Sequence, residues 1–342
     1  MKNNIETIFI TSTYRSGGAL FTRILNVNPS IKVSSGFVNY FRYYYKNYLR
    51  KKMKKNFQFL LNQFCLRSKY RHGINLNPNK LINDLNKKNA TSSDFYKLIC
   101  LKIFKNHNAK ITGEHAVNEW RNVPNYFKIF PRGKVIILLR DPRDIVCSFK
   151  RATIAKKNDY LISIFNFVDL INYTFLLKKK YTSRIKIVKF NEIKKNPKNT
   201  IKEVCKFLGI KYSSNMLKEK NYEDVNGKKW DQSKVFSFSG KLKKQNIDRW
   251  KFIIEPEDLY LCEHIAKKQL KMANYEFSNN KFEKKIIDKA LKKIQSSSLL
   301  KSSFYKWKKT KKGNNKFPLD PKNPKNYDKK DLQNFKQFQL IK

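Results

Sequence analysis

Four consecutive residues near the amino terminus have the types and the spacing that bind an anion. Arg15, Ser16, Gly17 and Gly18 follow the short apolar run Ile8–Thr11. Glycines let backbone N–H groups approach a phosphate closely, while arginine and serine add a fixed cation and a hydroxyl donor. A strand, a glycine turn and a helix in this order predict a phosphate-binding loop.

The turn leads into a segment with helical periodicity, Ala19 to Leu25. We expect the first helical residues, Ala19 and Leu20, to complete the binding loop with their N–H groups. The turn has no Gly-Lys-Ser/Thr ending. This excludes the usual loop for nucleoside triphosphates, and nothing in the turn is placed to hold a magnesium ion.

A second polar cluster follows the continuous apolar run Val135–Leu139, which predicts a parallel strand buried on both faces. Next come Arg140 and then Asp141, which is suited to cap a helix whose first residue is Pro142. Asp144 adds negative charge in the first turn of this helix.

Arg140 therefore lies at the carboxyl end of a strand, where open α/β sheets bind ligands. Ser148, about two helical turns further on, could face the same crevice. The alternative is that Arg140 only pairs with Asp141 or Asp144, but the presence of the first loop favours a ligand site.

Together, these two segments resemble the sulfotransferases that use 3′-phosphoadenosine 5′-phosphosulfate (PAPS). In that family the first turn, here Arg15 to Ala19, binds the 5′-phosphosulfate. The second strand end with its helix serine, here Arg140 and Ser148, binds the 3′-phosphate. The resemblance implies an α/β fold with a central parallel sheet flanked by helices, similar to that of P-loop nucleotide hydrolases. It also implies PAPS as cosubstrate and no metal.

Two further stretches extend the resemblance to about residues 5 to 278. Residues 186–210 resemble the family's strand, acidic residue, proline-initiated helix and Phe-Leu-Gly ending. Residues 236–251 resemble the basic loop that closes over the nucleotide. In this loop Lys243 and Lys244 have the spacing of the family's Arg-Lys pair that contacts the 3′-phosphate, and Trp250 is expected to be a packing anchor. Ser239, Gly240 and Lys241 are further candidates.

The general base is less clearly indicated. A short strand over Ala109–Thr112 that ends at Gly113 would place Glu114 and His115 at the mouth of the crevice. Histidine accepts a proton most readily near neutral pH, and the family often has a basic residue here; the alternative is that His115 only hydrogen-bonds the loop. Some family members have a catalytic glutamate soon after the first helix, but residues 34–42 contain no acid. Glu114, His115 or another residue thus remain as alternatives.

Many family members have lysine at the position of Arg15. Arginine keeps the charge but does not readily release a proton, so we expect Arg15 to act in catalysis by electrostatic stabilisation.

The charge excess, 75 basic against 26 acidic residues, would ordinarily suggest a nucleic-acid partner. Lysine far outnumbers arginine, however, and asparagine and isoleucine are abundant, which is the pattern that an AT-rich genome produces. Lysine is also poorer than arginine at bidentate recognition. We therefore expect no specific nucleic-acid partner.

The five cysteines are scattered and have no metal-binding spacing, which indicates reduced core residues and a cytoplasmic protein. The first strand begins too early to leave room for a signal peptide. The longest apolar stretch, Leu161 to Leu177, is broken by Asn166, Asp169 and Asn172. It predicts a core helix and no transmembrane segment.

The predicted organisation is a sulfotransferase domain over 1–278, with a mostly helical insertion at 37–108, and a basic extension over 279–342. In the insertion, the aromatic stretch Tyr40–Phe64 either packs inward as an amphipathic helix or forms an acceptor-binding lid. The extension contains 19 lysines and five acids. It predicts one helix followed by a poorly ordered tail that could dock on an acidic surface.

These features predict an enzyme that transfers the sulfuryl group of PAPS to a hydroxyl or amine. A saccharide acceptor is favoured because the chain resembles the glycan- and protein-directed branches; lipid, small-molecule and protein acceptors are the others. Two other classes compete with this prediction. A small-molecule P-loop kinase would need the missing Gly-Lys-Ser/Thr and an acidic metal ligand, and a nucleic-acid-binding protein would have lost catalysis.

Overall fold

The central element is a five-stranded, fully parallel sheet with the order β2-β3-β1-β4-β5. The structure, a computed structural model, describes residues 6–46, 57–85, 90–104, 109–151, 157–223, 227, 229 and 248–318. The strands are β1 (Glu6–Ser12), β2 (Ile31–Ser35), β3 (Ile111–Val117), β4 (Lys134–Leu139) and β5 (Ile185–Lys189). The parallel sheet and its flanking helices confirm the predicted α/β class.

Helices fill both faces of the sheet and the carboxyl-terminal part of the chain. They are α1 (Gly18–Asn26), α2 (Tyr40–Tyr43), α3 (Phe57–His72), α4 (Pro78–Leu85), α5 (Ser92–Lys102), α6 (Val123–Ile129), α7 (Pro142–Lys150), α8 (Ile162–Lys180), α9 (Phe190–Lys195), α10 (Pro197–Leu208), α11 (Trp250–Ile253), α12 (Pro256–Ile265), α13 (Lys267–Met272), α14 (Lys284–Gln295) and α15 (Ser298–Thr310). Short 3₁₀ turns occur at Trp120–Asn122, Asp159–Leu161, Thr182–Arg184, Ser214–Leu217 and Glu219–Asn221.

Alternate residues of β1 enter two separate cores because successive side chains of a strand point to opposite faces. Ile8 and Ile10 pack in the core that contains α1 and α10. Phe9 packs in the larger core that contains α2, α5 and α8. Because both of its faces are covered, β1 is the buried central strand of the sheet, and the first loop follows its carboxyl end.

Strand β3 is longer than the sequence indicated. It was expected to end at Thr112, but it continues through Gly113 to Val117. A Cβ atom on Gly113 would lie 1.8 Å from the backbone oxygen of Ile8. The glycine therefore permits close approach of β1 and β3 and does not end the strand.

Helix α8 lies inside the fold. With the turn that precedes it, this helix (Asp159–Lys180) is long and apolar enough to cross a membrane by length and composition, and 78% of its most apolar window is buried. Asp169 accepts hydrogen bonds from the Trp120 indole and the Arg121 guanidinium. The helix is thus a core element, as its polar residues predicted.

The aromatic residues at the start of the helical region also belong to the core. Tyr40, Phe41, Tyr44 and Phe64 are all buried. Tyr40 is in edge contact with both Phe41 and Tyr96. These four side chains therefore pack inward, which is the first of the two interpretations given for this stretch.

The carboxyl-terminal extension differs from the single helix that we expected. Two helices form: α14 packs on α12, and α15 packs on α8. The chain then continues to residue 318 in contact with the domain. Residues 319–342, where we expected the poorly ordered tail, lie outside the described residues.

Candidate active site

The first loop has the backbone conformation of an anion-binding turn. Arg15 and Gly17 have φ values of 63° and 85°, both left-handed. Gly17 is the N-cap of α1, and no side chain hydrogen-bonds to the cap. Because the first N–H groups of a helix lack carbonyl partners within it, those of Gly18, Ala19 and Leu20 are suited to bind an anion. The Ser16 and Thr13 hydroxyls lie 2.8 Å apart and fix the turn from inside.

The two glycines are required by close packing. A Cβ on Gly17 would lie 2.0 Å from the Phe190 ring, and one on Gly18 would lie 2.0 Å from Cε1 of His115. The loop is therefore held between the start of α9 and the end of β3, and neither position has room for a side chain.

Three of the residues selected from the sequence meet at this point. Arg140 donates a hydrogen bond from Nη1 to the carbonyl oxygen of Arg15, at 2.7 Å. Arg15 donates from Nε to the Ser148 hydroxyl, at 3.0 Å. The loops after β1 and β4 are thus linked directly, and both arginines lie at the carboxyl edge of the sheet.

The neighbouring acids leave part of the Arg140 guanidinium without a described hydrogen-bond partner. Its Nε lies 4.0 Å from Asp144 and has no hydrogen-bond partner among the described residues. Asp141 caps α7 through the N–H of Arg143, as predicted, and pairs with the guanidinium of that residue. Burial is the main cause that lowers the pKa of Arg140, although Asp144 and Asp141 oppose the shift.

Arg143 is a structural arginine. It is 1% exposed, donates to Asp141 and to Glu263, and lies 3.7 Å above the centre of the Trp250 ring. Trp250 is therefore a packing anchor. Of the two arginines in the Arg-Asp-Pro-Arg-Asp segment, only Arg140 faces the first loop.

Two further cations, Lys194 and Arg249, lie near Arg140 and were not selected from the sequence. Burial lowers the pKa of the Lys194 ammonium to about 8, and the positive charges of Arg140 and Arg249 add to this effect. Both Lys194 and Arg140 lie 5.0 Å from the centre of the Phe190 ring. Lys194 could not be distinguished from the many other lysines, although the Arg-Trp-Lys ending of the basic loop could have drawn attention to Arg249.

Like charges lie close together in this cluster. Arg140 lowers the pKa of Arg15, second to burial, and Arg249 lowers that of Arg140. Half-buried or buried cations that repel one another are stabilised when a polyanion enters between them. We name this set, Arg15, Arg140, Lys194 and Arg249, the cationic cluster.

His115 lies below the first loop, on the α1 side of β3. Its Nε2 is 2.9 Å from the Ser12 hydroxyl, and its Nδ1 is 3.0 Å from the Ser35 hydroxyl. Since Ser12 donates to the carbonyl of Thr13, a neutral ring satisfies every bond when Nε2 donates to Ser12 and Ser35 donates to Nδ1. Burial lowers the pKa of His115 to about 4, so the imidazole is neutral near pH 7.

Glu114 points to the opposite face of the sheet and is fully buried. Its carboxylate accepts the N–H of Tyr40, at 3.1 Å, at the start of α2. Burial raises the pKa of Glu114 to about 8. The expectation that Glu114 and His115 lie together at the crevice mouth is wrong, because the unbroken strand sends them to opposite faces, both buried.

The residues predicted for the closing loop, Lys243 and Lys244 with Ser239, Gly240 and Lys241, lie outside the described residues. In the part of the chain that is described, no three His, Cys, Asp or Glu side chains are close enough to hold a metal ion.

Comparison with known proteins agrees with this geometry. The profile of the sulfotransferase family matches residues 7–214, more than half of the chain. The chain therefore belongs to the sulfotransferase family. The matched region contains the first loop, the Arg140 segment and Lys194. No curated protein matches the chain significantly by sequence.

Solved sulfotransferase structures share the fold. The sulfotransferase domain from the curacin biosynthetic pathway is 17% identical, with a TM-score of 0.56, over 80% of this chain and 99% of that domain. The sulfotransferase domain of the olefin synthase of Synechococcus PCC 7002 is 18% identical, with a TM-score of 0.52, over 77% of this chain and 95% of that domain.

Proposed function

We propose that this sulfotransferase transfers the sulfuryl group of PAPS to a hydroxyl or amine acceptor, with a saccharide as the favoured acceptor class. The observation that carries the donor assignment is the contact between Arg140 and Arg15. It joins two cationic loops at the ends of adjacent strands, as a ligand with two separate anionic groups requires.

The described residues fit such a donor. The first loop provides N–H groups and Arg15 for the phosphosulfate. Arg140 has a buried Nε without a described partner, and Ser148 and Lys194 lie at the same edge; these groups suit the 3′-phosphate. PAPS supplies an activated sulfuryl group with adenosine 3′,5′-bisphosphate as leaving group.

In the transfer, a bond forms from the acceptor oxygen or nitrogen to sulfur while the bond from sulfur to the bridging phosphate oxygen breaks. Negative charge grows on that oxygen, where the Arg15 guanidinium and the loop N–H groups stabilise it. The acceptor proton must go to a base. Of the two candidates from the sequence, Glu114 lies on the other face of the sheet, and both ring nitrogens of His115 already hydrogen-bond to Ser12 and Ser35, so we assign the base to neither.

We also propose a cytoplasmic location. All five cysteines are buried and free, which supports a reducing compartment.

Isothermal titration calorimetry with adenosine 3′,5′-bisphosphate tests the donor site. We expect the wild-type protein and Arg132→Ala, which removes an exposed arginine, to bind alike. Arg140→Ala and Arg15→Ala should each bind about 10- to 100-fold more weakly, as loss of a charged hydrogen bond predicts. A wild-type protein that does not bind the bisphosphate would refute the donor assignment.

Transfer from radiolabelled PAPS to a panel of oligosaccharides, phenols and amines then tests the acceptor class. Product labelling confined to phenols or amines would reject the saccharide. Labelling that persists in His115→Ala and in Glu114→Gln is expected, whereas its loss in either variant, with bisphosphate binding kept, would identify that residue as the base.

A further inference from the structure

A carboxyl-terminal segment, residues 313–317, crosses the domain and ends beside the first loop. It follows α15 and lies well beyond the region that matches the family, residues 7–214. Neither its sequence, Gly-Asn-Asn-Lys-Phe, nor its distance along the chain indicates a place at the active site. Its contacts nevertheless form a specific attachment, which we call the C-terminal latch.

The attachment starts at helix α8. A Cβ on Gly313 would lie 2.1 Å from the backbone oxygen of Phe165, so the latch backbone packs directly on the helix backbone. The Asn166 side-chain amide then hydrogen-bonds to both backbone groups of Lys316. It accepts the Lys316 N–H at 2.9 Å and donates to the Lys316 carbonyl at 2.7 Å. Two hydrogen bonds from one amide fix the register of the segment.

Two more asparagines fasten the same segment. The Asn314 amide donates to the Ser303 hydroxyl at 2.6 Å, and the Asn315 amide donates to the carbonyl of Asn118 at 2.7 Å. Asn118 directly follows β3. The latch therefore joins α15, α8 and the carboxyl end of the sheet, where the reaction site lies.

Its last residue, Phe317, contacts the first loop. The Phe317 ring is in edge contact with the Tyr14 ring, with centroids 5.7 Å apart, and the Arg42 guanidinium lies 4.4 Å from its centre. On its other side Tyr14 stacks on Phe149 of α7, at 5.6 Å. Tyr14 is thus held between two aromatic rings, and it immediately precedes Arg15.

This arrangement holds Tyr14, the residue that precedes Arg15 in the left-handed turn. A left-handed conformation is unfavourable for a non-glycine residue and persists only where neighbouring contacts maintain it. Arg42 is itself fixed by Glu119, at 3.0 Å, with both side chains nearly buried. Phe317 thus packs between a guanidinium that is held by an ion pair and the ring of Tyr14.

We propose that Phe317 is a positioning residue of the reaction site, and that the C-terminal latch is required to hold the first loop in its anion-binding conformation. The catalytic meaning of this role rests on the proposed function. The role itself concerns the conformation of residues 13–18 and can be measured without any acceptor.

Three full-length variants test the proposal. Phe317→Ala removes the ring next to Tyr14, and Phe317→Tyr keeps it. Phe304→Ala is the matched control, because Phe304 lies on α15 and contacts Trp307, at 5.6 Å, but belongs to a different aromatic pair. Hydrogen–deuterium exchange of a peptide that covers residues 13–18 reports the loop, calorimetry with adenosine 3′,5′-bisphosphate reports its function, and thermal melting reports global stability.

We expect Phe317→Ala to accelerate exchange in this peptide and to weaken bisphosphate binding by about three- to ten-fold, the range that loss of one aromatic pair predicts. Phe317→Tyr should behave as wild type. Phe304→Ala should lower the melting temperature and change neither quantity. Unchanged exchange in Phe317→Ala, or an equal change in Phe304→Ala, would overturn the proposal. A wild-type protein that fails to bind the bisphosphate refutes the proposed function instead, and the exchange result still decides the role of Phe317.

Discussion

Arg140 donates a hydrogen bond to the main-chain carbonyl of Arg15 across the carboxyl edge of the sheet. Because a guanidinium has five N–H donors, this bond leaves others of Arg140 available for a ligand. The same contact orders the turn that carries Arg15. The two halves of the proposed donor site are therefore one hydrogen-bonded unit, and a change in either half is expected to disturb the other.

Lys194 should contribute to donor binding through its charge. We expect Lys194→Met to weaken binding of adenosine 3′,5′-bisphosphate about ten-fold, whereas Lys195→Met, the exposed neighbour, should have little effect. The Lys194 pKa is about 8 without ligand, so its charge is lost as the pH rises through 8. Calorimetry between pH 7 and 9 should show wild-type affinity falling more steeply than that of Lys194→Met. Parallel pH profiles would exclude this role.

Gly17 should be irreplaceable for a steric reason beyond its backbone angle. Gly17→Ala places a methyl group against the Phe190 ring, whereas Gly73, which has a similar positive φ of 66°, has open space around it. Gly73→Ala should lose only about 1 kcal/mol of stability. Gly17→Ala should in addition weaken bisphosphate binding at least about ten-fold, because the loop must move. Equal affinities in the two variants, measured by calorimetry, would contradict the steric explanation.

Arg143 should support the fold and not the ligand. Arg143→Met removes a buried cation from Asp141 and Glu263 and leaves both carboxylates without it. We expect a loss of about 3–5 kcal/mol in the free energy of unfolding, measured by urea denaturation. Arg132→Met, at an exposed turn, should change it by less than about 0.5 kcal/mol. A loss of the same small size in Arg143→Met would show that the buried pairs contribute little.

His115 should make stability depend on acidic pH. Its pKa is about 4 in the folded protein and 6.5 in the unfolded chain, so between these values the unfolded chain binds more protons. The free energy of unfolding should therefore fall as the pH drops from 6.5 to 4, by on the order of 3 kcal/mol from this group. His115→Gln should show a smaller slope in urea titrations over this range. Identical slopes would mean that His115 is protonated without cost in the folded state.

Glu114 should have the opposite effect at higher pH. Its pKa rises from 4.5 to about 8 on folding, so the stabilisation is present below pH 4.5 and is lost as the pH rises through 8. Glu114→Gln keeps an oxygen that can accept the Tyr40 N–H but cannot ionise. We expect the variant to gain stability relative to wild type between pH 5 and pH 9, by on the order of 4 kcal/mol. A constant difference across this range would refute the raised pKa.

Local features of the fold were predictable from the sequence because they depend on adjacent residues. Asp141 and Pro142 specify the start of α7 by themselves, and the glycine turn after β1 specifies the first loop. The extent of β3 was not predictable, since a glycine such as Gly113 often ends a strand. Here a glycine is needed because the backbone of Ile8, which is 105 positions away in the chain, approaches closely.

The remaining parts of the site depend on long-range contacts. Lys194 is distinguished from the other described lysines by its burial next to Arg140. Phe317 reaches Tyr14 through a path that two asparagines and one glycine of the latch determine. Glycine and asparagine are common in surface loops. The composition of the latch therefore indicated a loop, but it did not indicate which part of the fold the loop contacts.

The adjacency of β1 and β4 has a consequence for divergence within the family. Ser12 and Leu138 are paired in the sheet, so backbone hydrogen bonding, and not the chain between them, sets the separation of the two anion-binding loops. Helices α2 to α5 are inserted into that chain without entering the pairing. Their length can therefore differ between family members without altering the distance between the two loops.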